Sequence, residues 1–322
     1  MDYIKQIKKV QCINKNHKNY IQKRFDNLIK PVGSLAKLED ITCSYIAMRD
    51  AKDIDYSNKH LLLFLSEQEI NEKYKENICD KNVFLPELVS GTSHIHKLAE
   101  FFTVSVNTVS LTDKFGILAN IENRLEMNDE LFAKAFALGE KAAENAIRSG
   151  ADALAVASFS PGSYIANLAV LSAVMRKSDF IEPDKRSFVE NIIKGETSDD
   201  LFVLMRKYGG YELPALLGAI TFAAASGVMV FLDGLASLIA AYAAIKENDD
   251  ICDYLVAVST TNEDGQNILL TESKLSTMLD LKMNFPSGEA SVFGFSLLEA
   301  GIKALLEMES FGDVHFPLGD IN

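Results

Sequence analysis

The feature that most constrains the fold of this chain is the alternation of short apolar runs with helical patterns between about residues 60 and 260. Short apolar runs indicate buried strands, whereas apolar residues repeated at three- and four-residue intervals indicate amphipathic helices. The runs lie at 60–66, 103–111, 151–159, 227–233 and 254–260. Because consecutive parallel strands need a crossover between them, usually a helix, this pattern predicts an α/β fold with a mostly parallel sheet.

Helical patterns also occupy both ends of the chain. Residues 1–50 are predicted to be helical, and residues 289–311 are predicted to form a long closing helix. Inside the alternating part, residues 86–102 are predicted to form one helix and residues 178–200 a polar loop. We expect the helices of the two ends to pack together as a smaller region beside the sheet.

The net charge and the pattern of apolar residues argue against a nucleic-acid-binding protein and against a membrane-spanning one. The net charge of −13 argues against nucleic acid as a partner. The longest apolar stretch, residues 217–244, is interrupted by Gly227 and by Asp233 with Gly234, which favours a strand between buried helices over a membrane span. The sequence shows no apolar leader pattern and no Cys-X-X-Cys pair, so we expect a cytoplasmic protein.

Several polar residues follow the predicted strands. Ligands of open α/β sheets bind beyond the carboxyl ends of the strands. Asp233 sits at such an end, where it either lines a site or caps the next helix. His94 and His96 are two residues apart and would point to different faces of a helix, so we expect no metal site. The other candidates at strand ends are Ser66, Gln68 and Glu263.

A phosphate-binding turn is a further candidate, where the run 151–159 gives way to a helix. The segment "SFSPGSY" offers hydroxyl groups and the amide of a glycine, which suit a phosphate. It matches neither a Walker loop nor G-X-G-X-X-G, so on its own the segment is better explained as an ordinary strand-to-helix turn. The candidate residues are Ser158, Ser160, Gly162 and Ser163.

Gly288 and Glu289 precede the long closing helix. A helix N-terminus presents N–H groups and the positive end of the helix dipole, which suit a phosphate or a carboxylate. A partly desolvated carboxylate at this place can act as a general base. Alternatively, Glu289 only complements the helix dipole.

Four segments, taken in order along the chain, resemble one known family. They are "KPVGSLAKLEDI" (30–41), "RKYGGYELPALLGAITFAA" (206–224), "VFLDGLASLIAAYAA" (230–244) and "SGEASVFGFSLLEAGIKALLEMESF" (287–311). The family is that of the nicotinate-nucleotide:dimethylbenzimidazole phosphoribosyltransferases, and the resemblance covers about residues 20–311. In the family, the first segment reads Lys-Pro-Pro-Gly-Ser-Leu-Gly-Arg-Leu-Glu and the last contains Gly-Glu-Gly-Thr-Gly.

The resemblance implies a fold and a reaction. The fold has three layers around a Rossmann-like sheet in a large domain (59–281), with a small helical domain built from 1–58 and 282–322. The family acts as a dimer and transfers 5-phosphoribosyl from nicotinate mononucleotide to an aromatic base, for the lower ligand of cobamides. It implies neither a metal nor a cofactor.

The resemblance also implies roles for the candidate residues. Glu289 matches the family's catalytic glutamate. The residues that it implies for binding substrate and phosphate are Ser158, Ser160, Gly162, Ser163, Gly288 and Ser291. The residues that it implies for lining the base pocket are Ser66, Gln68, Asp233 and Glu263.

This chain departs from the family at ligand-facing motifs. After Gly-Glu the family has Gly, Ser or Thr, and Gly, whereas this chain has Ala290, Ser291 and Val292. Of the family's glycine-rich turn, only Gly162 remains at 158–165. The family motifs expected at 66–68 and 259–266 are altered, and the one expected at 176–187 is absent. Within 259–266, only Glu263 and Gly265 remain.

Three hypotheses remain open from the sequence. The chain is an active phosphoribosyltransferase with a shifted substrate, a non-catalytic subunit or ligand-binding paralogue that pairs with a homologous chain, or an unrelated α/β protein. The dimer is accordingly a homodimer or a heterodimer.

Overall fold

Five parallel strands form the central sheet of the computed structural model, which describes residues 2–49, 54, 56–69, 81–118, 126–284 and 286–312. The strand order is β2-β1-β3-β4-β5, and two further parallel strands, β6 and β7, pair beside it. The strands are β1 (Lys59–Leu65), β2 (Val104–Ser110), β3 (Ala153–Phe159), β4 (Met229–Leu232), β5 (Leu255–Ala257), β6 (Ser259–Thr261) and β7 (Leu279–Met283). The predicted α/β class with a parallel sheet is confirmed.

Helices connect the strands and fill both ends of the chain. They are α1 (Asp2–Ile7), α2 (Lys15–Asp26), α3 (Lys37–Arg49), α4 (Lys81–Ser90), α5 (His94–Phe101), α6 (Thr112–Phe115), α7 (Asp129–Arg148), α8 (Ser163–Met175), α9 (Pro183–Ile192), α10 (Leu201–Tyr208), α11 (Glu212–Ala225), α12 (Gly234–Glu247), α13 (Gln266–Glu272) and α14 (Glu289–Glu307). None of these described helices has both the length and the apolar character needed to cross a membrane.

The central strands are buried on both faces. Residues 61–64 of β1 and 153–157 of β3 are fully inaccessible to solvent. Leu62 of β1 lies opposite Val156 of β3, and the register continues in parallel from end to end. Burial of successive residues, rather than of alternate ones, is expected where helices cover both sides of a parallel sheet.

Helices α7 and α11 approach each other closely through two glycines. A Cβ added to Gly139 would lie 1.8 Å from the carbonyl oxygen of Ala215, and one added to Gly218 would lie 2.1 Å from that of Phe136. Each contact is far inside van der Waals distance, so only glycine allows the two backbones this spacing.

The two ends of the chain meet where α3 packs against α14. A Cβ on Gly301 of α14 would lie 3.0 Å from the carbonyl oxygen of Leu38. Just before α3, the buried ammonium of Lys30 lies 2.7 Å from the buried carboxylate of Glu39. The same carboxylate accepts hydrogen bonds from the Gln22 side chain (2.8 Å) and the Leu35 amide (3.1 Å). The motif at 30–41 therefore builds the junction of the chain ends, while the division into two domains stays a prediction. Residues 313–322 and Cys79 lie outside the described residues.

Three predicted elements differ from the structure. The region predicted as one helix at 86–102 contains the end of α4 and the whole of α5. The first helix ends because Gly91 adopts a left-handed conformation and the amides of Thr92 and Ser93 both donate to the carbonyl of Glu87. The loop predicted at 178–200 contains α9, a mostly polar helix with Pro183 in its first turn. The strand predicted at 254–260 divides into β5 and β6, because the carbonyl of Val258 accepts the amides of residues 278 and 279 and turns the chain toward β7.

Substitution of Gly139 by alanine tests the close contact of α7 and α11. An alanine in an ordinary helix adds up to about 1 kcal/mol of stability relative to glycine. Here we expect Gly139→Ala to lower the free energy of unfolding by about 2 kcal/mol, because the methyl group forces the helices apart. Urea unfolding followed by circular dichroism measures the change.

The exposed Ala137 on the same helix supplies the control for this experiment. We expect Ala137→Ser to change the free energy of unfolding by less than about 0.5 kcal/mol. A Gly139→Ala protein that is more stable than the wild type would contradict the close packing.

Candidate active site

The reversal of strand order places a cavity at one edge of the sheet. The order 2-1-3-4-5 reverses between β1 and β3, and open α/β sheets bind ligands outside the carboxyl ends of the strands at such a point. A cavity of ≈ 370 Å³ lies beside this point, beyond the carboxyl ends of β3 and β4, and its volume is within the size range of small-molecule sites. Its walls come from the ends of β3 and β4, the starts of α5, α8 and α12, and the first turn of α14.

Gly288 brings the chain into α14 against the sheet. It is the N-cap residue of α14, with a φ of 116° that side-chain-bearing residues rarely adopt. A Cβ there would lie 2.5 Å from the Leu61 side chain. The glycine therefore lets the start of α14 pack directly against β1. Glu289, the first residue of α14, lines the cavity.

Asp233, directly after β4, holds the start of α14. Its buried carboxylate accepts hydrogen bonds from the backbone amides of Ala290 (2.9 Å) and Ser291 (3.3 Å). Burial, followed by the nearby negative charge of Glu289, raises the pKa of Asp233 to about 8, although the two amides favour its ionised form. Asp233 thus lines the cavity and caps α14, whereas its side chain makes no capping hydrogen bond to α12, the next helix that the sequence suggested.

Glu289 is buried, and three groups donate to its carboxylate. The amide of Ser287 donates to Oε2 (2.5 Å), the hydroxyl of Ser287 lies 3.2 Å from Oε1, and His94 Nε2 hydrogen-bonds Oε1. Burial acts to raise the pKa of Glu289, but the hydrogen bonds, led by that of His94, outweigh it, so the pKa is lowered. The side chain is therefore an anion at neutral pH and can accept a proton.

Glu263 supplies a third carboxylate to the cavity. Its Oε2 accepts the backbone amide of Leu235 (2.8 Å), which lies in the first turn of α12. Glu263 and Asp233 therefore each complement the positive end of a different helix.

The first turn of α8 forms another part of the wall. Gly162, with a φ of 85°, is its N-cap residue and, as a glycine, has no side chain of its own that could cap the helix. Ser158, Ser160 and Ser163 line the cavity. One turn after Ser163, Asn167 also lines it while only 4% exposed, and no described residue hydrogen-bonds its Oδ1.

Aromatic rings form the apolar side of the cavity. The Phe84 ring stacks on the His94 ring, with centroids 5.4 Å apart and an angle of 23° between the planes. The same ring packs edge-on against Phe159 at 4.8 Å, and Tyr164 lines the cavity beside them. Small-molecule sites combine such apolar walls with a few polar groups that fix orientation, and flat rings suit an aromatic ligand.

The structure brings most of the predicted site residues to this one cavity. The predicted residues that line it are Ser158, Ser160, Ser163, Asp233, Glu263 and Glu289. The predicted residues Gly162, Gly288 and Ser291 lie in the turns that start α8 and α14. Sequence reasoning missed the lining residues His94 and Asn167, for which no local motif exists.

Ser66 and Gln68 lie beyond the cavity wall. Ser66 is buried; its hydroxyl donates to Glu212 (2.6 Å) and lies 2.9 Å from the hydroxyl of Ser160. Gln68 is also buried, and its backbone amide donates to the carbonyl of Pro161. These two residues support the turn before α8 from behind.

Known proteins share this sequence and fold. The family model described as "Phosphoribosyltransferase" matches residues 10–315. The chain belongs to this phosphoribosyltransferase family. It is 26% identical to the nicotinate-nucleotide–dimethylbenzimidazole phosphoribosyltransferase of Ruminiclostridium cellulolyticum, over 97% of each chain, and 25% identical to that of Clostridium perfringens, over 89% of this chain and 88% of that one. The crystal structure of the corresponding Thermus thermophilus protein superimposes with a TM-score of 0.83 at 21% identity, covering 94% of this chain and 98% of that one.

Its low identity to these relatives makes the chain a divergent member of the family. The predicted family is confirmed, and the fold is that of the Thermus structure. The roles of individual residues stay predictions.

Replacing Asp233 by asparagine tests the buried carboxyl group. Its raised pKa means that, between about pH 4 and pH 8, the folded protein keeps a proton that the unfolded chain has lost. Asp233 therefore contributes less to stability as the pH rises through this window. We expect Asp233→Asn to gain stability relative to the wild type as the pH rises from about 5 to about 8. The gain amounts to about 1.4 kcal/mol for each unit by which folding raises the pKa of Asp233. Urea unfolding at several pH values measures it, and parallel pH profiles of the two proteins would contradict the assignment.

Proposed function

We propose that this chain transfers the 5-phosphoribosyl group of nicotinate mononucleotide to a flat aromatic nitrogen base, such as a benzimidazole used as a cobamide lower ligand. The observation that carries the proposal is the anionic carboxylate of Glu289, held at a helix start in a cavity with an aromatic wall. Family membership and the printed activities of the relatives support the same reaction class.

The reaction needs a proton acceptor. As the base nitrogen forms a bond to the ribose C1 atom, the bond from C1 to the nicotinate nitrogen breaks and its electron pair leaves with nicotinate. The attacking nitrogen loses its proton, and Glu289 is the group positioned to take it. General-base assistance of this kind contributes about 10²–10⁴-fold to a rate.

The start of α8 is where we place the phosphate. Around the cavity, the starts of α12 and α14 already hold the carboxylates of Glu263 and Asp233, whereas the N-cap residue of α8 is a glycine without a capping side chain. A helix start with adjacent hydroxyl groups attracts an anion. The buried amide of Asn167, one turn further along, offers additional polar contacts to the ribose phosphate.

A second candidate function is a ligand-binding subunit without catalysis of its own. Among the described residues that line the cavity, His94 is the only side chain that can carry a positive charge, although the donor carries a phosphate. A subunit of a cytoplasmic heterodimer, in which a homologous chain catalyses, would tolerate such a site. In the first candidate function the dimer consists of two copies of this chain.

Release of nicotinate distinguishes the two functions. The purified chain is incubated with nicotinate mononucleotide and a panel of benzimidazoles, purines and phenols, and free nicotinate is measured by chromatography. We expect release with at least one base, and we expect Glu289→Gln to lower its rate by about 10²-fold or more. The control is Glu307→Gln, at the exposed far end of the same helix, which should keep the wild-type rate.

Two outcomes would count against catalysis by this chain. Release that occurs only after a homologous chain is added would establish the subunit function instead. Absence of turnover together with absence of binding of nicotinate mononucleotide or base in calorimetry, alone and with a homologous chain, would refute both functions.

A further inference from the structure

His94 contacts the candidate catalytic carboxylate from a distant part of the chain. It is the first residue of α5, and its Nε2 hydrogen-bonds Oε1 of Glu289, which starts α14. The His94 ring stacks on Phe84 at the cavity, and its side chain is 53% exposed. The contact therefore joins two helices that are 195 residues apart in sequence, and it faces the ligand space rather than the core.

Burial has the largest influence on the pKa of Glu289, and it favours the neutral carboxyl group. Among the groups that favour the ionised form, the His94 side chain comes first. The Ser287 amide and hydroxyl favour the ionised form, but neither carries a charge.

The surroundings of His94 show that its charge depends on Glu289. At the first position of a helix, the positive end of the dipole disfavours a cation. The carboxylates that face His94 are Glu289 from α14 and, more weakly, Glu87 from α4. The hydrogen bond to Glu289 raises the pKa of His94 despite partial burial, so each member of the pair stabilises the charge of the other.

We propose that His94 is a positioning residue for Glu289, which holds the carboxylate ionised and turned toward the acceptor base. This inference rests on the proposed function, because it explains how the proton acceptor stays charged. In this proposal His94 acts through Glu289 rather than on the substrate. Its effect is confined to the acidic side of the pH range, since at high pH Glu289 is ionised with or without it.

Two variants separate charge from packing. His94→Gln keeps a neutral N–H donor, and His94→Phe keeps a ring that stacks on Phe84 but has no donor. His96→Gln is the control, because His96 lies on the same helix, pairs with Ser93, and is absent from the described cavity wall.

The pH dependence of nicotinate release tests the proposal in the active protein. In both His94 variants we expect the acidic limb of the kcat/KM profile to move up by about one to three pH units, the size of shift that a neighbouring opposite charge produces. Above that limb the rates should stay within a few-fold of the wild type, and His96→Gln should follow the wild type throughout. A loss that is equal at every pH, which indicates a structural role, or an unchanged profile would overturn the proposal.

Nuclear magnetic resonance tests the pair without any turnover. The side-chain carboxyl carbon of Glu289 is followed through a pH titration in the wild type and in His94→Gln, and the His94 ring is followed in the wild type and in Glu289→Gln. We expect the midpoint of Glu289 to rise in His94→Gln and that of His94 to fall in Glu289→Gln. Unchanged midpoints would refute the pairing, whereas shifted midpoints in a protein that releases no nicotinate would refute only the proposed function.

Discussion

Two backbone amides of α14 donate to the buried carboxylate of Asp233, and the geometry of the site depends on this contact. Asp233 follows a central strand of the sheet, whereas α14 belongs to the end of the chain and packs on α3. The carboxylate thereby fixes the closing helix at the carboxyl edge of the sheet. Gly288 permits the required turn, and Glu289, the next residue, therefore faces the cavity. A buried acid that complements a helix dipole thus determines where the candidate base lies.

The motif at 30–41 serves the same arrangement from the opposite side of α14. Lys30 and Glu39 are both buried, and Glu39 also holds the Leu35 amide, so the turn before α3 has a single well-defined shape. Removing one partner of such a pair leaves an uncompensated buried charge, which is strongly destabilising. Neither residue lies among the described residues of the cavity wall. Within this chain the motif therefore supports α14 through the turn before α3.

The sequence predicts the parts of the fold that local patterns determine. The parallel sheet, the turn at Gly162 and the helix that starts at Glu289 all follow from short-range signals. The break between β5 and β6 does not, because Val258 continues an apolar run and only amides from residues 278 and 279 divert it. His94 has no local signal either, since its partner is brought to it by the strand order. Asn167 lies in a helix of mostly apolar residues, where the pattern predicts core.

The departures from the family motifs at the starts of α14 and α8 leave the backbone contacts of these helix starts in place. At the start of α14, the backbone amides of residues 290 and 291 make the contacts with Asp233. Ala290 and Ser291 can therefore replace family residues without loss of these hydrogen bonds. At α8, Gly162 keeps the left-handed conformation that begins the helix, while the serines around it alter only the cavity lining. Glycines, backbone amides and the buried Asp233 carboxyl group therefore fix the starts of α8 and α14. The carboxylate of Glu289 lines the cavity with these replacements in place.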